Sequence, residues 1–295
     1  MRIVVTGREG QVVRSLMERG AIAGHDVVSL GRPQLDLAGS AQGIAEALRR
    51  AAPDLIVSAA AYTAVDKAEQ EPDLARAVNE EGAHAVALAA SELGVPLIHL
   101  STDYVFDGAK SAPYVETDDT GPTGVYGATK LAGERAVLAA QPDCAILRTA
   151  WVYSPFGANF VKTMLRLARD RDEVGVVADQ RGNPTSALDI ADAILAVAAN
   201  LTDRDDPALR GTFHMTAAGD ASWAEFADAI FAASARLGGP SAAVKAIATS
   251  DYPTPAKRPA NSRLDSSKLD RAHGVRLPDW RDSLPNVVRR LLEAN

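Results

Sequence analysis

The chain has 295 residues, of which 47% are hydrophobic, 23% charged and 5% aromatic. These values exclude a disordered tail, a collagen-like repeat and a coiled coil. Its 31 basic and 38 acidic residues give a net charge of −7, which excludes the basic face that a nucleic-acid partner would require.

The first half of the chain alternates short aliphatic runs with longer segments of helical periodicity. Predicted strands lie at residues 3–5, 26–30, 55–57, 96–100 and 145–147, and predicted helices at residues 11–19, 40–50, 72–93 and 126–140. Strands this apolar, separated by helices, predict a parallel sheet that is buried on both faces. We therefore predict an α/β fold in which residues 1–150 form a doubly wound parallel (Rossmann) sheet that binds a dinucleotide.

After residue 150 the alternation becomes less regular. Helices are predicted at residues 160–169, 188–201, 223–237 and 283–293. We expect residues 151–295 to form a second, smaller α/β substrate lobe that is interleaved with the sheet. No apolar run approaches the ~18 residues of a membrane span, and the N-terminal residues lack the apolar core of a signal peptide. The lone Cys144 cannot form an intrachain disulfide, so we expect a cytoplasmic protein without membrane contact.

A glycine-containing turn follows the first predicted strand and opens the first predicted helix. Gly7 and Gly10 permit a tight turn and close backbone approach, and a helix N-terminus directs free N–H groups at a pyrophosphate. Val13 occupies the place of the usual third glycine, and we expect it to separate helix and strand slightly. G-x-x-G alone is equally typical of a plain turn, but its position after the first strand predicts dinucleotide binding.

The residues at the end of the second predicted strand indicate which dinucleotide binds. Proteins that bind NAD usually place Asp or Glu there, roughly 20 residues beyond the glycines, whereas this chain has Gly31 and Arg32. A guanidinium suits a 2′-phosphate in charge and geometry. We therefore predict that NADPH is preferred and that NADH is possible, the alternative being that Arg32 is a solvated surface residue. Asp36, the nearest carboxylate, is predicted to contact the adenine amino group.

Tyr126 and Lys130 stand four residues apart on a predicted helix and therefore share one face. A ketone that accepts a hydride needs a proton from a positioned acid, and a neighbouring ammonium lowers the pKa of a phenol. We expect Lys130 also to reach the nicotinamide ribose. Thr102 ends the fourth predicted strand, where ligands of open α/β sheets bind. Each feature alone is weak evidence for an active site, but together they predict a site of carbonyl reduction.

With these motifs in this order, the chain resembles the extended short-chain dehydrogenase/reductase superfamily. Longer blocks are similar to the dTDP-4-dehydrorhamnose reductases of that superfamily. They lie at residues 101–108 (STDYVFDG), 126–134 (YGATKLAGE), 148–153 (RTAWVY), 179–185 and 258–262 (RPANS). The blocks span most of the chain, and sibling epimerases and dehydratases share only the first few.

The resemblance implies hydride transfer from NADPH or NADH to C4 of dTDP-4-dehydro-β-L-rhamnose, which gives dTDP-β-L-rhamnose in the last step of dTDP-L-rhamnose synthesis. It implies a catalytic group of Thr102, Tyr126 and Lys130, and substrate contacts from Thr102, Asp103 and Trp151. The expected cofactor-binding residues are Gly7, Gly10, Gln11, Val12, Gly31, Arg32, Asp36, Leu37, Ala59, Ala61, Tyr62, Thr63, Leu100, Tyr126 and Lys130.

Two alternatives remain open: another sugar-nucleotide reductase or epimerase, and a non-catalytic regulatory subunit similar to the β subunit of methionine adenosyltransferase. Some members of the resembling family pair through Mg²⁺ held by glutamates, but Ser15 and Leu188 occupy the corresponding positions. We therefore expect no metal site, and a monomer or weak homodimer without metal-dependent pairing. The five histidines lack metal-ligand spacing and are expected to be surface or packed residues.

Overall fold

A six-stranded, all-parallel sheet forms the centre of the computed structural model, which describes residues 1–294. The spatial order of its strands is β2 (Asp26–Leu30), β1 (Arg2–Thr6), β3 (Leu55–Ser58), β4 (Leu97–Thr102), β5 (Cys144–Thr149) and β10 (Gly211–His214). Helices cover both faces, so the predicted doubly wound sheet is confirmed.

Alternate residues of each strand pack into two separate apolar layers. Ile3 and Val5 belong to the layer with α1 (Gln11–Ile22) and α8 (Ala187–Asp203). Val4 belongs to the opposite layer, with α2 (Ala41–Ala51), α5 (Gly82–Leu93) and α6 (Val125–Ala140). Because side chains alternate along a strand, an uninterrupted aliphatic run fills both layers at once.

The chain after residue 150 contributes to two cores. β10 extends the sheet and α8 packs against it. A separate apolar cluster is surrounded by α7 (Phe160–Leu167), α9 (Trp223–Arg236) and α11 (Trp280–Glu293). That cluster also contains residues of the parallel pair β7 (Glu173–Val177) and β12 (Ala243–Ile247). The shorter elements are α3 (Val65–Ala68), α4 (Pro72–Arg76), β6 (Val152–Tyr153), β8 (Arg181–Gly182), β9 (Thr185–Ser186), β11 (Ala221–Ser222) and α10 (Ser267–His273). The domain boundary at residue 150 stays a prediction.

The chain is helical over the predicted residues 72–93, but the middle of this segment is not an α-helix. A π-helical turn at Ala77–Glu81 separates α4 from α5. Asn79 lies in this turn, and its side chain bonds to the Tyr62 backbone. The widened turn also lies against α6, where any side chain at Gly133 would collide with the Asn79 carbonyl. These contacts between distant segments favour the π turn over a continuous α-helix.

The chain changes direction across the sheet between β1 and β3. β2 extends one edge, and β3, β4, β5 and β10 extend the other. In open α/β sheets this switch point leaves a crevice at the carboxyl ends of the strands, where ligands bind. Within residues 1–294, no helix has the length and apolar character needed to cross a membrane.

Candidate active site

A cleft of about 710 Å³ opens at the carboxyl ends of β1, β3 and β4, beneath segments that follow β5. It brings together most of the predicted site: Gly7, Gly10, Gln11, Val12, Ala59, Ala61, Thr63, Leu100, Thr102, Asp103, Tyr126, Lys130 and Trp151. Five predicted cofactor residues lie outside its lining, namely Gly31, Arg32, Asp36, Leu37 and Tyr62.

The turn between β1 and α1 has the geometry of a phosphate cradle. Gly7 has a φ of +106°, a conformation that favours glycine. A Cβ at Gly7 would stand 3.1 Å from Val13 Cγ2, so Val13 occupies space that a side chain at Gly7 would need. Among the described residues, no side chain caps α1 at Gly10. The N–H groups of its first turn therefore remain available to an anion, which fits a dinucleotide pyrophosphate.

Asn79 holds the loop that follows β3, and sequence reasoning missed it. Its Oδ1 accepts from the Tyr62 backbone N–H at 2.8 Å, and its Nδ2 donates to the Tyr62 carbonyl at 3.1 Å and to Thr129 Oγ1 at 3.1 Å. The Tyr62 phenol donates to Glu71 at 2.6 Å, which keeps the Tyr62 side chain outside the cleft. A polar residue within an alanine-rich helix was the available signal for Asn79.

Two exposed arginines lie together at the carboxyl end of β2. The Arg8 guanidinium donates to the Arg32 carbonyl at 3.4 Å. Gly31 makes room for it, because a Cβ there would stand 2.7 Å from Arg8 Cγ. Sequence reasoning missed Arg8, which belongs to the glycine turn. The Asp36 carboxylate accepts from the Ala38 backbone N–H at 3.1 Å, while Leu37 is buried in the core.

The first turn of α6 carries Tyr126, and the next turn carries Lys130. Any side chain at Gly127 would collide with the Tyr104 carbonyl, so glycine permits the close approach of α6 to the end of β4. The Tyr104 and Tyr126 rings meet edge to face at 5.5 Å. Thr102 Oγ1 donates to Asp103 Oδ1 at 2.9 Å.

Burial is the largest cause of the pKa shifts of Tyr126, Lys130 and Asp103. It raises the pKa of Tyr126 above its ordinary value, against a hydrogen bond with Thr102 that lowers it. This net direction is opposite to the lowering expected from the Lys130 ammonium. Burial also lowers the pKa of Lys130 to about 8 and raises the pKa of Asp103 to about 6. Near neutral pH, Tyr126 is therefore protonated and Lys130 is mostly charged, a state suited to proton donation.

Two tryptophans form an aromatic wall of the cleft. Trp151 and Trp223 stack with ring centroids 3.5 Å apart and planes 6° apart. Trp151 has a φ of +48°, which strains a residue with a large side chain. Any side chain at Gly182 would collide with the Trp151 ring. Sequence reasoning missed Trp223, because an aromatic residue at the start of an amphipathic helix is usually a core residue.

The comparisons with known proteins agree with the resemblance seen in the motifs. Residues 1–293 match the family model described as the RmlD substrate binding domain. A dTDP-4-dehydrorhamnose reductase of Sinorhizobium fredii is 53% identical over 292 residues, which cover 99% of this chain and 98% of that protein. The chain belongs to the dTDP-4-dehydrorhamnose reductase family.

Solved structures of the family share the whole fold. A Clostridium acetobutylicum dTDP-4-dehydrorhamnose reductase superposes with a TM-score of 0.91 at 37% identity, covering 99% of this chain and 100% of that one. A Bacillus anthracis dTDP-4-dehydrorhamnose reductase in complex with NADP gives 0.89 at 34% identity, covering 97% and 98%. The resemblance predicted from the sequence is therefore confirmed.

The positions predicted to lack metal ligands are both buried: Ser15 in α1 and Leu188 in α8. In the part of the chain that the structure describes, no group of three or more His, Cys, Asp or Glu residues could hold a metal ion. The absence of metal-dependent pairing stays a prediction.

Proposed function

We propose that this chain reduces the C4 carbonyl of dTDP-4-dehydro-β-L-rhamnose to give dTDP-β-L-rhamnose. The observation that carries the proposal is the meeting of Thr102, Tyr126 and Lys130 with the glycine turn in one cleft. Full-length similarity to reductases of that name supports it over the two alternatives.

The positions of the side chains in the cleft support the proposed roles. Bound reduced nicotinamide supplies the hydride. Tyr126 donates its proton to the oxygen that becomes negatively charged, since burial keeps the phenol protonated before the reaction. Thr102 turns its hydroxyl from Asp103 towards the carbonyl oxygen and stabilises the same charge. Asp103 and Trp151 hold the sugar.

Lys130 contributes through its charge and its hydrogen bonds. It lies on the same helical face as Tyr126, so its ammonium favours the phenolate that remains after proton donation. It also binds the nicotinamide ribose. Because burial lowers the pKa of Lys130 to about 8, we expect the reductase activity to decline as pH rises through that value.

The cofactor is a nicotinamide dinucleotide, and NADPH is the proposed preference. Arg8 and Arg32 support it, because two exposed guanidinium groups at the carboxyl end of β2 suit a 2′-phosphate. The cytoplasmic location predicted from the sequence stays a prediction.

The test is an assay that supplies the dTDP-keto-sugar and follows loss of NADPH or NADH. We expect Tyr126→Phe to lower kcat by at least ~10²-fold, because it removes the proton donor. Its Kd for NADPH should stay within about 3-fold of the parent, as measured by titration calorimetry. An epimerase would convert the sugar without net NADPH loss, and a binding subunit would consume none. Parent-like turnover by Tyr126→Phe would refute the proposed proton donor.

A further inference from the structure

A buried histidine lies directly behind Lys130. His99, in β4, is 1% exposed, and its ring lies between two side chains. Nδ1 stands 3.1 Å from Ser58 Oγ at the end of β3, and Nε2 stands 3.3 Å from Lys130 Nζ. Neither contact was expected from the sequence, in which His99 is simply part of an apolar strand.

The hydrogen-bond donors of the Lys130 ammonium determine which ring nitrogen of His99 donates and which accepts. An ammonium has only donors, so Nε2 of His99 must accept from Lys130. The ring proton then resides on Nδ1, which donates to Ser58 Oγ. Burial lowers the pKa of His99 well below its ordinary value, which keeps the ring neutral and preserves the acceptor on Nε2.

Lys130 therefore has two of its three N–H groups held by the protein. One donates to the Leu100 carbonyl at 2.7 Å, and one donates to His99. The third remains for the cleft, which Lys130 lines. With two donors fixed on β4, rotation about the last side-chain bond cannot redirect the third without breaking a hydrogen bond.

We propose that His99 is a positioning residue for Lys130: its neutral Nε2 orients the ammonium towards the cofactor ribose and stabilises the charged form of the amine. This inference rests on the proposed role of Lys130 in the reductase. It assigns to a neutral acceptor the task that a carboxylate often performs for a buried lysine.

The other charged groups near Lys130 do not replace His99. Glu134, one turn further along α6, raises the pKa of Lys130, but its carboxylate is bound at both oxygens by Arg148 of β5, at 2.8 and 2.6 Å. On the cleft side, Tyr126 of α6 is protonated and Asp103 is engaged by Thr102. Loss of the His99 acceptor should therefore lower the pKa of Lys130 further below about 8.

Two variants separate orientation from packing. In His99→Gln the side-chain amide can place an oxygen where Nε2 stands, so the acceptor for Lys130 is kept. In His99→Asn the shorter side chain reaches only the position of Nδ1, so the bond to Ser58 is kept and the acceptor for Lys130 is lost. We expect His99→Asn to raise the Kd for NADPH about 10-fold above the pKa of Lys130, and less below it. His99→Gln should stay within about 3-fold.

Titration calorimetry with NADPH alone measures this effect and needs no keto-sugar. In the reductase assay, the alkaline limb of kcat/KM should move to lower pH in His99→Asn and return towards the parent in His99→Gln. Equal losses in both variants, or none in either, would overturn the inference. Absence of sugar turnover in the parent as well as in every variant would refute the proposed function. The NADPH titration would still decide the role of His99.

A third variant covers failure of His99→Asn to fold. Ser58→Ala removes the acceptor for Nδ1–H, so the tautomer that accepts from Lys130 loses one of the two hydrogen bonds that stabilise it. We expect a smaller rise in the Kd for NADPH, about 3-fold, with the same increase above the pKa of Lys130. A Kd equal to that of the parent over the whole pH range would overturn the inference.

Discussion

Arg8 belongs to the glycine turn and Arg32 to the segment after β2, and the Arg8 guanidinium reaches the Arg32 backbone carbonyl. A 2′-phosphate bound there would receive charge-assisted hydrogen bonds from two guanidinium groups. NADH lacks that phosphate and would leave both arginines in water, where they already are. The proposed preference would therefore come from attraction to NADPH rather than from exclusion of NADH.

We expect Arg8→Ala and Arg32→Ala each to lower the NADPH/NADH ratio of kcat/KM by about 10-fold, because each removes a charge-assisted hydrogen bond. kcat/KM with NADH should change little. Arg50→Ala is the matched control, since Arg50 is an exposed arginine of α2 that pairs with Glu46. A double variant with the parental ratio would show that both arginines are only solvated surface residues.

The ion pair between Glu134 and Arg148 fastens α6, which carries Tyr126 and Lys130, to β5. Both side chains are almost fully buried, and the guanidinium binds both carboxylate oxygens. The Arg148 guanidinium also lies over the Phe106 ring, at 5.1 Å from its centroid. Removing one partner of such a pair leaves a buried charge without compensation, which costs far more than the pair itself contributes.

We therefore expect Arg148→Met to lower the free energy of unfolding by about 3–5 kcal/mol. The double variant Glu134→Gln/Arg148→Met should recover part of that loss, because no buried charge remains. Arg49→Met, which breaks exposed pairs with Glu46 of α2 and Glu92 of α5, should change stability by less than about 1 kcal/mol. Urea unfolding measures all three, and a similar small loss in Arg148→Met and Arg49→Met would contradict the prediction.

The elements that the sequence predicted well are those specified by local patterns. Aliphatic runs such as Ile3–Val5 predict buried parallel strands, because they fill both faces of the sheet. The π turn around Asn79 was not predictable in this way, since it depends on hydrogen bonds with Tyr62 and on the approach of α6. The two-residue strands carry too few residues for any periodicity.

The same distinction applies to the candidate site. Tyr126 and Lys130 were found because four residues along a helix fix their relation. His99, Arg8 and Trp223 were missed because their relevance arises only from contacts with distant segments. The sequence predicts a lowered pKa for Tyr126, whereas burial raises it. Sequence spacing gives the neighbouring charge but not the depth of burial.

The C-terminal half of the chain holds α1, which follows the glycine turn, in place. Glu18 binds the Arg290 guanidinium with both oxygens at 2.7 Å, and Arg19 donates to Asp192 at 2.6 Å. Gln11, at the start of α1, donates to the Val152 carbonyl at 3.3 Å. The glycine turn is therefore supported from both halves of the chain.

We accordingly expect a fragment of residues 1–150 to lack a cooperative unfolding transition, because it has neither β10 nor the buried face of α8. The full chain should unfold in a transition that NADPH moves to higher temperature, since the folded state alone binds the cofactor. Circular dichroism during heating measures both. A cooperative transition in the fragment would show that the sheet folds without the second half.

The tryptophan stack gives the molecule an internal optical reporter. Two of its three tryptophans, Trp151 and Trp223, stand at the cleft, whereas Trp280 is buried against Phe226 in the second core. Indole emission overlaps the absorption band of a dihydronicotinamide, so a dinucleotide entering the cleft would quench the stacked pair by resonance energy transfer. In a Trp280→Phe background the remaining indole fluorescence would come from the cleft alone, and occupancy by the reduced dinucleotide could be followed in real time without any attached dye.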